Sequence, residues 1–562
     1  MSDLIQGWID QKSAQGGGIV TIPAGRYEVT KTIVLKSNIQ LRGAGINQTF
    51  LDMVPKNSNG SSNSYLMLEI DRKSNVEISG MSIDGKKQGR PDKINDPYAH
   101  SISIAYTTDF KIENVNIVNS AGASIIMFNA ENGIVQNNTI TASGSNAILG
   151  MQNTKGIKVL NNTINGTDNQ NGIFFMYQDG KSTSDIEIIG NTVKNVADYA
   201  IEVGHTTHLA EDPPHRNIIV KNNIIENAYC TGIGFRTVSD GVIVGNEIIG
   251  YAVTNDYGCN GIFIEGRRAL QNNVTIHNNT IKQTYSKVPN QPFPYQQAIY
   301  ITGMNNMEVT DNTIEDSWND AIYVLAAFGF EETPDFPDGR RKYSNIHIEN
   351  NEIINSEVYG VHFDDYASNG NSVKNNTILE SGVAAILVEG DPNRVVVSGN
   401  ITEGSPNNPD PAENLWTVTT NISPLNGYPL QVLPDPGIYQ LTFDAISPDN
   451  GKMEAFTNDR RVFNKELSVP SQKTTFTYTF ATFFDSGAEV VFHNIQGTIN
   501  LSNITLYQLE GLEDCENNPN EPNTEFERDL EDLNTKFIAL HSTEQSKAES
   551  LVELISDLLD LF

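Results

Sequence analysis

A short apolar segment of the form Ala/Gly-Ile-x-aliphatic recurs through the first four hundred residues of the chain. Its aligned residues are Ile102, Ile125, Ile148, Ile173, Ile201, Ile233, Ile262, Ile299, Ile322, Val361 and Ile386. Neighbouring copies are 23 residues apart where no loop intrudes and 28 to 39 apart in several later copies. This self-similarity is typical of a solenoid, and period-2 alternation of β-branched residues predicts a strand in each copy rather than a helix.

A second pattern, a turn and strand resembling NNTI, is locked to the first. It places one Asn in each repeat from Ile125 onward, at positions Asn138, Asn162, Asn191, Asn223, Asn246, Asn279, Asn312, Asn351, Asn376 and Asn400. Stacked turns about 4.8 Å apart let each side-chain amide bond its neighbours, and Asn tolerates the left-handed backbone of a tight turn. We therefore predict an inward ladder of Asn side chains.

The start of the chain carries a pattern that is specific to one superfamily. Leu4, Ile5, Trp8 and Ile9 have helical spacing, a glycine run at 16–18 ends that helix, and strands follow in "IVTIPAGRYEVTKTIVLKSNIQLRGAG". This arrangement resembles the entrance to the pectate-lyase-like right-handed parallel β-helix superfamily, which includes many phage tailspikes. The resemblance covers residues 1–403 and identifies the fold better than the chemistry.

The remaining chain predicts two further units. A polar linker at 404–415 is followed by alternating segments at 416–510, such as "YQLTFDAIS" and "TTFTYTFATFF", which predict an antiparallel β-sandwich. The closing "LSNITLY" resembles carbohydrate-binding modules of the jelly-roll kind. After a second linker at 511–525, the tail at 526–562 predicts a helix. The predicted fold is thus all-β, a single-stranded parallel β-helix followed by a jelly roll and a C-terminal α-helical tail.

The tail has apolar residues at an unbroken 3,4 spacing from Leu530 to Leu561, with Glu544 and Lys547 in the central seam positions. This pattern predicts either one coiled coil with a polar layer or two shorter helices, and a helix docked on its own domain remains an alternative. Because tailspikes are trimers, the resemblance implies a homotrimer with this tail as a clamp.

Composition narrows the possible partners. The formal charge of −32 and the pI near 4.6 argue against nucleic acid and anionic membranes, which require clustered Lys and Arg. We find neither a signal peptide nor a membrane span. Cys230, Cys259 and Cys515 are too widely spaced for a disulfide framework or a metal motif, so we expect Cys230 and Cys259 to be stacked, free core residues.

Outward residues of the predicted strands form columns, because side chains alternate between the two faces. The column directly after each Ile contains Ser103, Ile126, Leu149, Phe174, Glu202, Gly234, Phe263, Tyr300, Tyr323, His362 and Leu387. The neighbouring column contains Ala105, Phe128, Met151, Met176, Gly204, Arg236, Glu265, Thr302, Leu325, Asp364 and Glu389. Polar and aromatic residues concentrate in the coils that also carry long inserts, and these inserts are expected to wall a groove.

Two carboxylates in this patch have a spacing suited to glycoside hydrolysis. Glu202 and Glu265 lie two coils apart, about 9 to 10 Å along the axis, and flexible side chains bring them into the window of about 6.5 to 9.5 Å for inverting enzymes. Arg236 between them can hold one as a base while the more buried partner stays protonated. We expect these three to be catalytic. The predicted substrate-binding residues are His205, Phe174, Phe263, Tyr300, Tyr323, His362 and Asp364.

Other interpretations of the patch stand beside this one. In a lyase, Arg236 would neutralise a uronate while His205 or Tyr300 takes the C5 proton. The three charged residues are also compatible with a solvated ion-pair ladder. Four loop residues have the spacing of a metal site, namely His205, His208, Asp212 and His215. Loop histidines at such spacing are more often not ligands, so we expect no metal and no cofactor.

Motifs of specific enzyme families are missing. The polygalacturonase pattern is interrupted, since Gly204-His205 precedes Thr206, and the alginate epimerase motif has only "YGVHFDD" at 359–365 as a distant counterpart. The resemblance therefore implies a phage tailspike or tail-fibre protein that binds and depolymerises a bacterial surface polysaccharide, with hydrolysis favoured over elimination. It would act on the virion tail, outside the cell, with other tail proteins as possible partners. The alternatives are a secreted bacterial polysaccharide lyase or epimerase and a non-catalytic glycan-binding spike.

Overall fold

The computed structural model describes two compact units, Met1–Thr420 and Asn421–Phe562, over part of their length. The described residues are 1–511 without 57–59, 91, 93–95, 97, 205–212, 253–258, 267–270, 286–295, 327–341, 390–391, 405–427, 434–436, 448–451, 458–463, 483–487 and 497–499. The predicted helical tail and Cys515 lie outside these residues. No helix in the described part of the chain is long and apolar enough to cross a membrane.

An N-terminal helix, α1 (Ser2–Ala14), precedes the solenoid. Ile5 and Ile9 are fully buried against the first coil, Trp8 packs beside them, and Leu4 is exposed. After the helix, Gly16, Gly17 and Gly18 have φ of 95°, 103° and 125°. A Cβ on Gly17 would lie 2.4 Å from the carbonyl oxygen of Asn38, so the turn requires glycine there. The predicted helix and its glycine stop are confirmed.

The predicted repeats form one parallel sheet, here called the site sheet. Its thirteen strands are Ile33–Val34, Leu68–Asp71, Ile102–Ala105, Ile125–Phe128, Ile148–Met151, Ile173–Met176, Ile201–Val203, Ile233–Arg236, Ile262–Glu265, Ile299–Thr302, Ile322–Leu325, Tyr359–Phe363 and Ala384–Val388. The aligned inward residue of each repeat pairs with the aligned residue of the next repeat, from Ile102 with Ile125 to Val361 with Ile386. All are fully buried except the last, which is partly buried. The inward stack is confirmed.

A second parallel sheet of 26 strands forms the other two faces of the coils. One column contains Gly18–Ile22, Ile39–Gly43, Ser74–Asp84, Thr108–Val118, Glu131–Gln136, Lys155–Leu160, Ser184–Ile189, His215–Lys221, Val238–Val244, Gln271–His277, Met304–Thr310, Ile346–Glu349, Asn371–Lys374 and Val395–Ser398. The other contains Gly25–Val29, Thr49–Met53, Thr139–Ser143, Thr163–Thr167, Thr192–Val196, Ile224–Ala228, Glu247–Ile249, Thr280–Lys282, Thr313–Glu315, Glu352–Ile354, Thr377–Leu379 and Ile401–Glu403. Ser74–Asp84 and Thr108–Val118 pair in both columns and join them. Short 3₁₀ helices span Lys87–Gly89 and Pro392–Arg394.

The Asn ladder runs without a break from Asn138 to Asn400. Each Nδ2 donates to the Oδ1 of the next rung at 2.9 to 3.0 Å. The same Oδ1 also accepts the backbone N–H of the preceding rung, and Asn223 Nδ2 further donates to the carbonyl of Ile188 at 2.9 Å. The ladder is confirmed, but its expected backbone is wrong. The left-handed residue is the one before each rung, such as Asn222 with φ of 52° or Gly245 with φ of 65°.

The predicted state of two cysteines is also wrong. Cys230 and Cys259 are stacked in adjacent coils as expected, but they are joined in a disulfide, with Cα atoms 4.6 Å apart. Both residues stand three positions before an inward Ile, so they share one phase of the repeat. That shared phase brings the two thiols within bonding distance even though the sequence offers no framework of paired cysteines.

The second unit contains two antiparallel sheets. One has the order Tyr428–Leu433, Ala488–Gln496, Lys452–Thr457, Asn464–Ser468, and the other has the order Thr474–Thr482, Gly437–Ile446, Asn500–Gly511. Phe443 and Ala445 in one sheet and Met453 and Ala455 in the other are buried. Antiparallel strands after the linker are confirmed, whereas the jelly-roll topology and carbohydrate-binding role of this unit stay predictions.

Candidate functional site

The site sheet presents its variable residues in the two predicted outward columns. Pairing places Phe174 beside Glu202, and Gly234 beside both Glu202 and Phe263. The column continues through Tyr300 and Tyr323 to His362. In the neighbouring column Arg236 pairs directly with Glu265. The parallel register therefore determines which of these side chains meet.

The structure brings together Glu202, Arg236 and Glu265, called the trio below. Arg236 Nε lies 3.3 Å from Glu202 Oε1 and 3.8 Å from Glu265 Oε2. Asn171 Nδ2 donates to the other oxygen of Glu202 at 2.6 Å, and the Arg236 guanidinium donates to the Tyr199 hydroxyl. Both carboxylates thus approach one nitrogen, and Glu202 has a second, neutral donor.

Burial and charge act in opposite directions on Glu202, which is 6% exposed. Burial raises its pKa to about 7, although Arg236 and the Asn171 hydrogen bond lower it. Burial alone would lower the pKa of Arg236, but Tyr199, Glu202 and Glu265 together raise it, so the guanidinium stays charged. Glu202 is therefore able to hold or release a proton near neutral pH beside a permanent cation.

Aromatic rings continue the column away from the trio. The rings of Phe263 and Tyr300 are stacked at 5.5 Å, and those of Tyr300 and Tyr323 meet edge to face at 5.9 Å. Arg236 lies 5.2 Å from the ring centres of both Tyr199 and Phe263. Phe263 and Tyr300 are 8% and 9% exposed, so the rings cover much of one another's surface. Phe174 lies apart from them, in an apolar cluster with Ala123 and Leu149.

A second charged cluster surrounds His362 at the far end of the rings. Its Nδ1 is 3.0 Å from Asp320 Oδ2, its Nε2 is 3.1 Å from Glu389 Oε1, and its ring stacks on Tyr323 at 4.3 Å. Burial opposes the charge, but the bonds to Asp320 and Glu389 raise the pKa of His362 to about 9. Beside it, Asp364 accepts a bond from the Ala326 N–H at 2.8 Å, and burial raises its pKa to about 7.

Three residues of these clusters were missed by the sequence analysis, namely Asn171, Tyr199 and Asp320. Each stands two positions before the inward Ile of its repeat, ahead of the strand whose alternating side chains predict the two outward columns. Polar or aromatic residues at this position recur in other repeats, at Asn146, Thr231, Asn260, Gln297 and Tyr359. Aligning the repeats at this position would therefore have identified all three residues from the sequence.

Of the four loop residues that are spaced as a metal site, the structure describes one, His215. His205, His208 and Asp212 lie outside the described residues. His215 is buried, and its Nδ1 is 2.8 Å from the Thr183 hydroxyl. Within the described ranges, no three His, Cys, Asp or Glu side chains are grouped to hold a metal ion.

The parallel register and the inward stack define a solenoid of β coils. A family model described as right handed beta helix region matches residues 43–211 and 208–333, more than half of the chain. The chain belongs to this right-handed β-helix family.

Solved structures of phage proteins are among those that resemble this chain. The N-terminal fragment of bacteriophage phi29 gene product 12 has a TM-score of 0.54 at 18% identity, over 72% of this chain and 68% of that one. At this identity the likeness shows a shared fold. A tailspike protein variant of E. coli bacteriophage HK620, solved with a pentasaccharide, has a TM-score of 0.44 at 13% identity, over 91% of this chain and 90% of that one.

Among curated proteins, a mannuronan C5-epimerase of Azotobacter vinelandii is 30% identical over 98 residues. The match covers 16% of this chain and 7% of the epimerase. A second epimerase of the same organism matches at 29% identity over 5% of its length. The matched stretch is thus a small part of each relative.

Proposed function

We propose that this chain is a phage tailspike or tail-fibre protein that binds a bacterial surface polysaccharide along the site sheet and cleaves it by hydrolysis. The observation that carries the proposal is the trio, in which a buried carboxyl with a pKa near neutrality stands beside a second carboxylate on the same outward face. Paired carboxyl groups with different surroundings are what glycoside hydrolysis requires.

In the proposed reaction, Glu202 is the acid and Glu265 is the base. The Glu202 proton passes to the glycosidic oxygen as the bond from that oxygen to the sugar breaks. Glu265 takes a proton from the attacking water, whose oxygen forms the new bond to the anomeric carbon. Arg236 Nε holds one oxygen of each carboxyl group nearby, at 3.3 and 3.8 Å, so these two oxygens are at most about 7 Å apart, at the short end of the window for inversion. Each glycosidic bond cleaved consumes one water, and the sugar at the new reducing end has inverted configuration.

The remaining predicted residues are assigned to binding. Tyr323, His362 and Asp364 would contact sugar hydroxyls at one end, with Phe263 and Tyr300 supporting them from the interior of the column. Phe174 would extend the surface on the other side of the trio, and His205, which lies outside the described residues, stays a predicted substrate-binding residue. The second unit would add a carbohydrate-binding jelly roll, and the tail would join three chains and reach other virion proteins.

The disulfide supports an extracellular site of action. Disulfides persist in oxidising surroundings and are rare in the cytosol. Cys230 and Cys259 form such a bond. A virion tail or a secreted protein satisfies this condition equally, so host origin must be separated by genomic context.

Product analysis tests the proposed reaction. The full chain is incubated with capsular and O-antigen polysaccharides purified from candidate hosts, and products are followed by size-exclusion chromatography and proton NMR. Hydrolysis predicts shorter chains with one new reducing end per cut and inverted configuration at that end. Binding without shortening would favour the non-catalytic spike.

A second candidate is a polysaccharide lyase or epimerase, favoured by the short epimerase similarity. In this case Arg236 would neutralise a uronate, and a tyrosine or histidine of the site sheet would accept the C5 proton. The same experiment separates the classes. A lyase yields an unsaturated sugar at the new end, whereas an epimerase changes sugar composition at constant chain length.

A further inference from the structure

The disulfide joins the two coils that carry Arg236 and Glu265. Arg236 follows Cys230 by six residues, and Glu265 follows Cys259 by six residues. The two coils that it joins are therefore those whose strands, Ile233–Arg236 and Ile262–Glu265, pair Arg236 with Glu265. The crosslink therefore fastens the coils of Arg236 and Glu265 to each other, while Glu202 lies in the adjacent coil, whose strand Ile201–Val203 pairs with Ile233–Arg236.

Packing connects the crosslink to the guanidinium. Cys230 packs against the buried cluster that includes Tyr199, Phe263 and Tyr300. The first two rings lie on the Arg236 guanidinium, each with its centre 5.2 Å away, and the Tyr199 hydroxyl accepts a bond from it. The disulfide thus supports the rings that hold Arg236.

Backbone contacts fasten the same turn to its neighbours. The Cys230 N–H donates to the Asp198 carbonyl at 3.3 Å, immediately before Tyr199. The Thr231 hydroxyl accepts the N–H of Asn260, the residue after Cys259, at 3.1 Å. Movement of the crosslinked turn would therefore be transmitted to Tyr199 and to the strand that carries Glu265.

We propose that the Cys230–Cys259 disulfide is a positioning crosslink for the trio, holding the two rings and the Arg236–Glu265 pair in place so that Glu202 stays sealed from water. This proposal concerns the residues assigned under the proposed function. Its first readout requires no glycan, so the two proposals fail separately.

The first test follows Glu202 itself. Glutamate labelled with carbon-13 at the carboxyl is incorporated into the full chain, the Glu202 resonance is assigned with E202Q, and its pH midpoint is measured before and after reduction with TCEP. Because burial is the largest cause of its raised pKa, loosening the rings should lower the midpoint by about 0.5 to 1. Reoxidation with glutathione disulfide should restore it.

Variants separate positioning from folding. C230A/C259A should reproduce the lowered midpoint, while C515S should leave it unchanged. Far-ultraviolet circular dichroism checks that the coils remain folded, and the reversible reduction supplies the result if the double variant does not fold. A midpoint that stays in place or rises after loss of the crosslink, with or without a lower melting temperature, would overturn the proposal.

A second test applies to a parent chain that cleaves a host polysaccharide. Reduction should lower kcat about tenfold, because small displacements of reacting groups are costly, while KM changes less. An unchanged kcat would contradict the positioning role. If the parent chain cleaves nothing, the hydrolytic function fails, and the carboxyl titration still decides the role of the disulfide.

Discussion

The Asn ladder and the outward column of the site sheet pass through the same coils but differ in every other respect. The ladder repeats one residue ten times, buried at every rung before the last, with the same bond between successive rungs. The outward column changes from Phe174 to Glu202, then to Gly234, aromatic residues and His362. Both columns have the spacing of the strands.

This difference shows that the two columns have different roles, one in holding the register of the coils and the other in presenting a surface. An Asn side-chain amide can hydrogen-bond to another Asn amide in the next coil, so the same residue can be repeated from coil to coil and maintains their register. Because the ladder and the inward stack maintain that register, outward residues can vary without changing the register of the coils. Charge and aromatic surface can then be collected over a few coils, as in the trio and the His362 cluster.

The largest expected effect concerns rate. Replacing Glu202 or Glu265 by Gln keeps size and hydrogen bonding but removes proton exchange, so we expect cleavage of the host polysaccharide to fall by about 10² to 10⁴. Binding, measured by calorimetry, should persist. A matched control is E187Q on the second sheet, where Glu187 pairs with Lys158 at 2.8 Å at the surface. Parental rates in both site variants would mean that the trio is only an ion-pair ladder.

The next effect concerns pH, which acts on the outward column alone because the Asn rungs do not titrate. Folding raises the pKa of Glu202 from 4.5 to about 7. Its contribution to stability is therefore complete below about pH 4.5 and is lost as the pH rises through about 7, by up to about 3 kcal/mol. Asp364, whose pKa rises from 3.8 to about 7, also contributes stability that is lost as the pH increases through this range. The contribution of His362 is lost in the same way between pH 6.5 and about pH 9.

Urea unfolding at several pH values measures this dependence. We expect the free energy of unfolding of the parent to decrease from about pH 5 to pH 7, and E202Q to decrease less steeply. The variant N223L should keep the parental slope at lower overall stability. Equal slopes in the parent and E202Q would show that burial of Glu202 has no energetic consequence.

A smaller effect is expected from the ladder. Asn223 bonds the rung on either side and the Ile188 carbonyl, so N223L should cost about 1 to 3 kcal/mol for the groups left unsatisfied. Asn165 gives the control, since its exposed side chain accepts a bond from Asn195 at 2.8 Å on the surface. N165L should change stability by about 0.5 kcal/mol or less. If both variants have the parental melting temperature, the ladder is not a stabilising feature.

Periodicity explains which features could be predicted. The inward stack repeats in successive coils and the Asn rungs repeat in ten of them, so a single sequence contains many copies of the same evidence. Asn171, Tyr199 and Asp320 share one phase but differ in residue type, and alternation from the strands alone does not reach a position before the strand. The disulfide depends on phase as well, since Cys230 and Cys259 occupy equivalent positions of adjacent coils.

Other features depend on side-chain detail that no repeat contains. The sequence predicted Arg236 between two carboxylates, but the clamp of Tyr199 and Phe263 around its guanidinium requires the rotation of each ring. The stacking of Tyr323 on His362, whose two ring nitrogens are hydrogen-bonded to Asp320 and Glu389, likewise requires the rotation of each ring. The left-handed residue was assigned one position too late because both residues of an Asn-Asn pair are compatible with such a turn.

The uniform rungs of the Asn ladder also make the coils interchangeable units. Each rung donates one amide hydrogen to the oxygen of the next rung and the other to a backbone carbonyl of the preceding coil, so the ladder positions of successive coils are equivalent. A recombination event that removes the chain between two rungs joins surfaces that are already complementary. The solenoid can therefore lengthen or shorten during evolution in whole turns, while its capping helix is inherited unchanged.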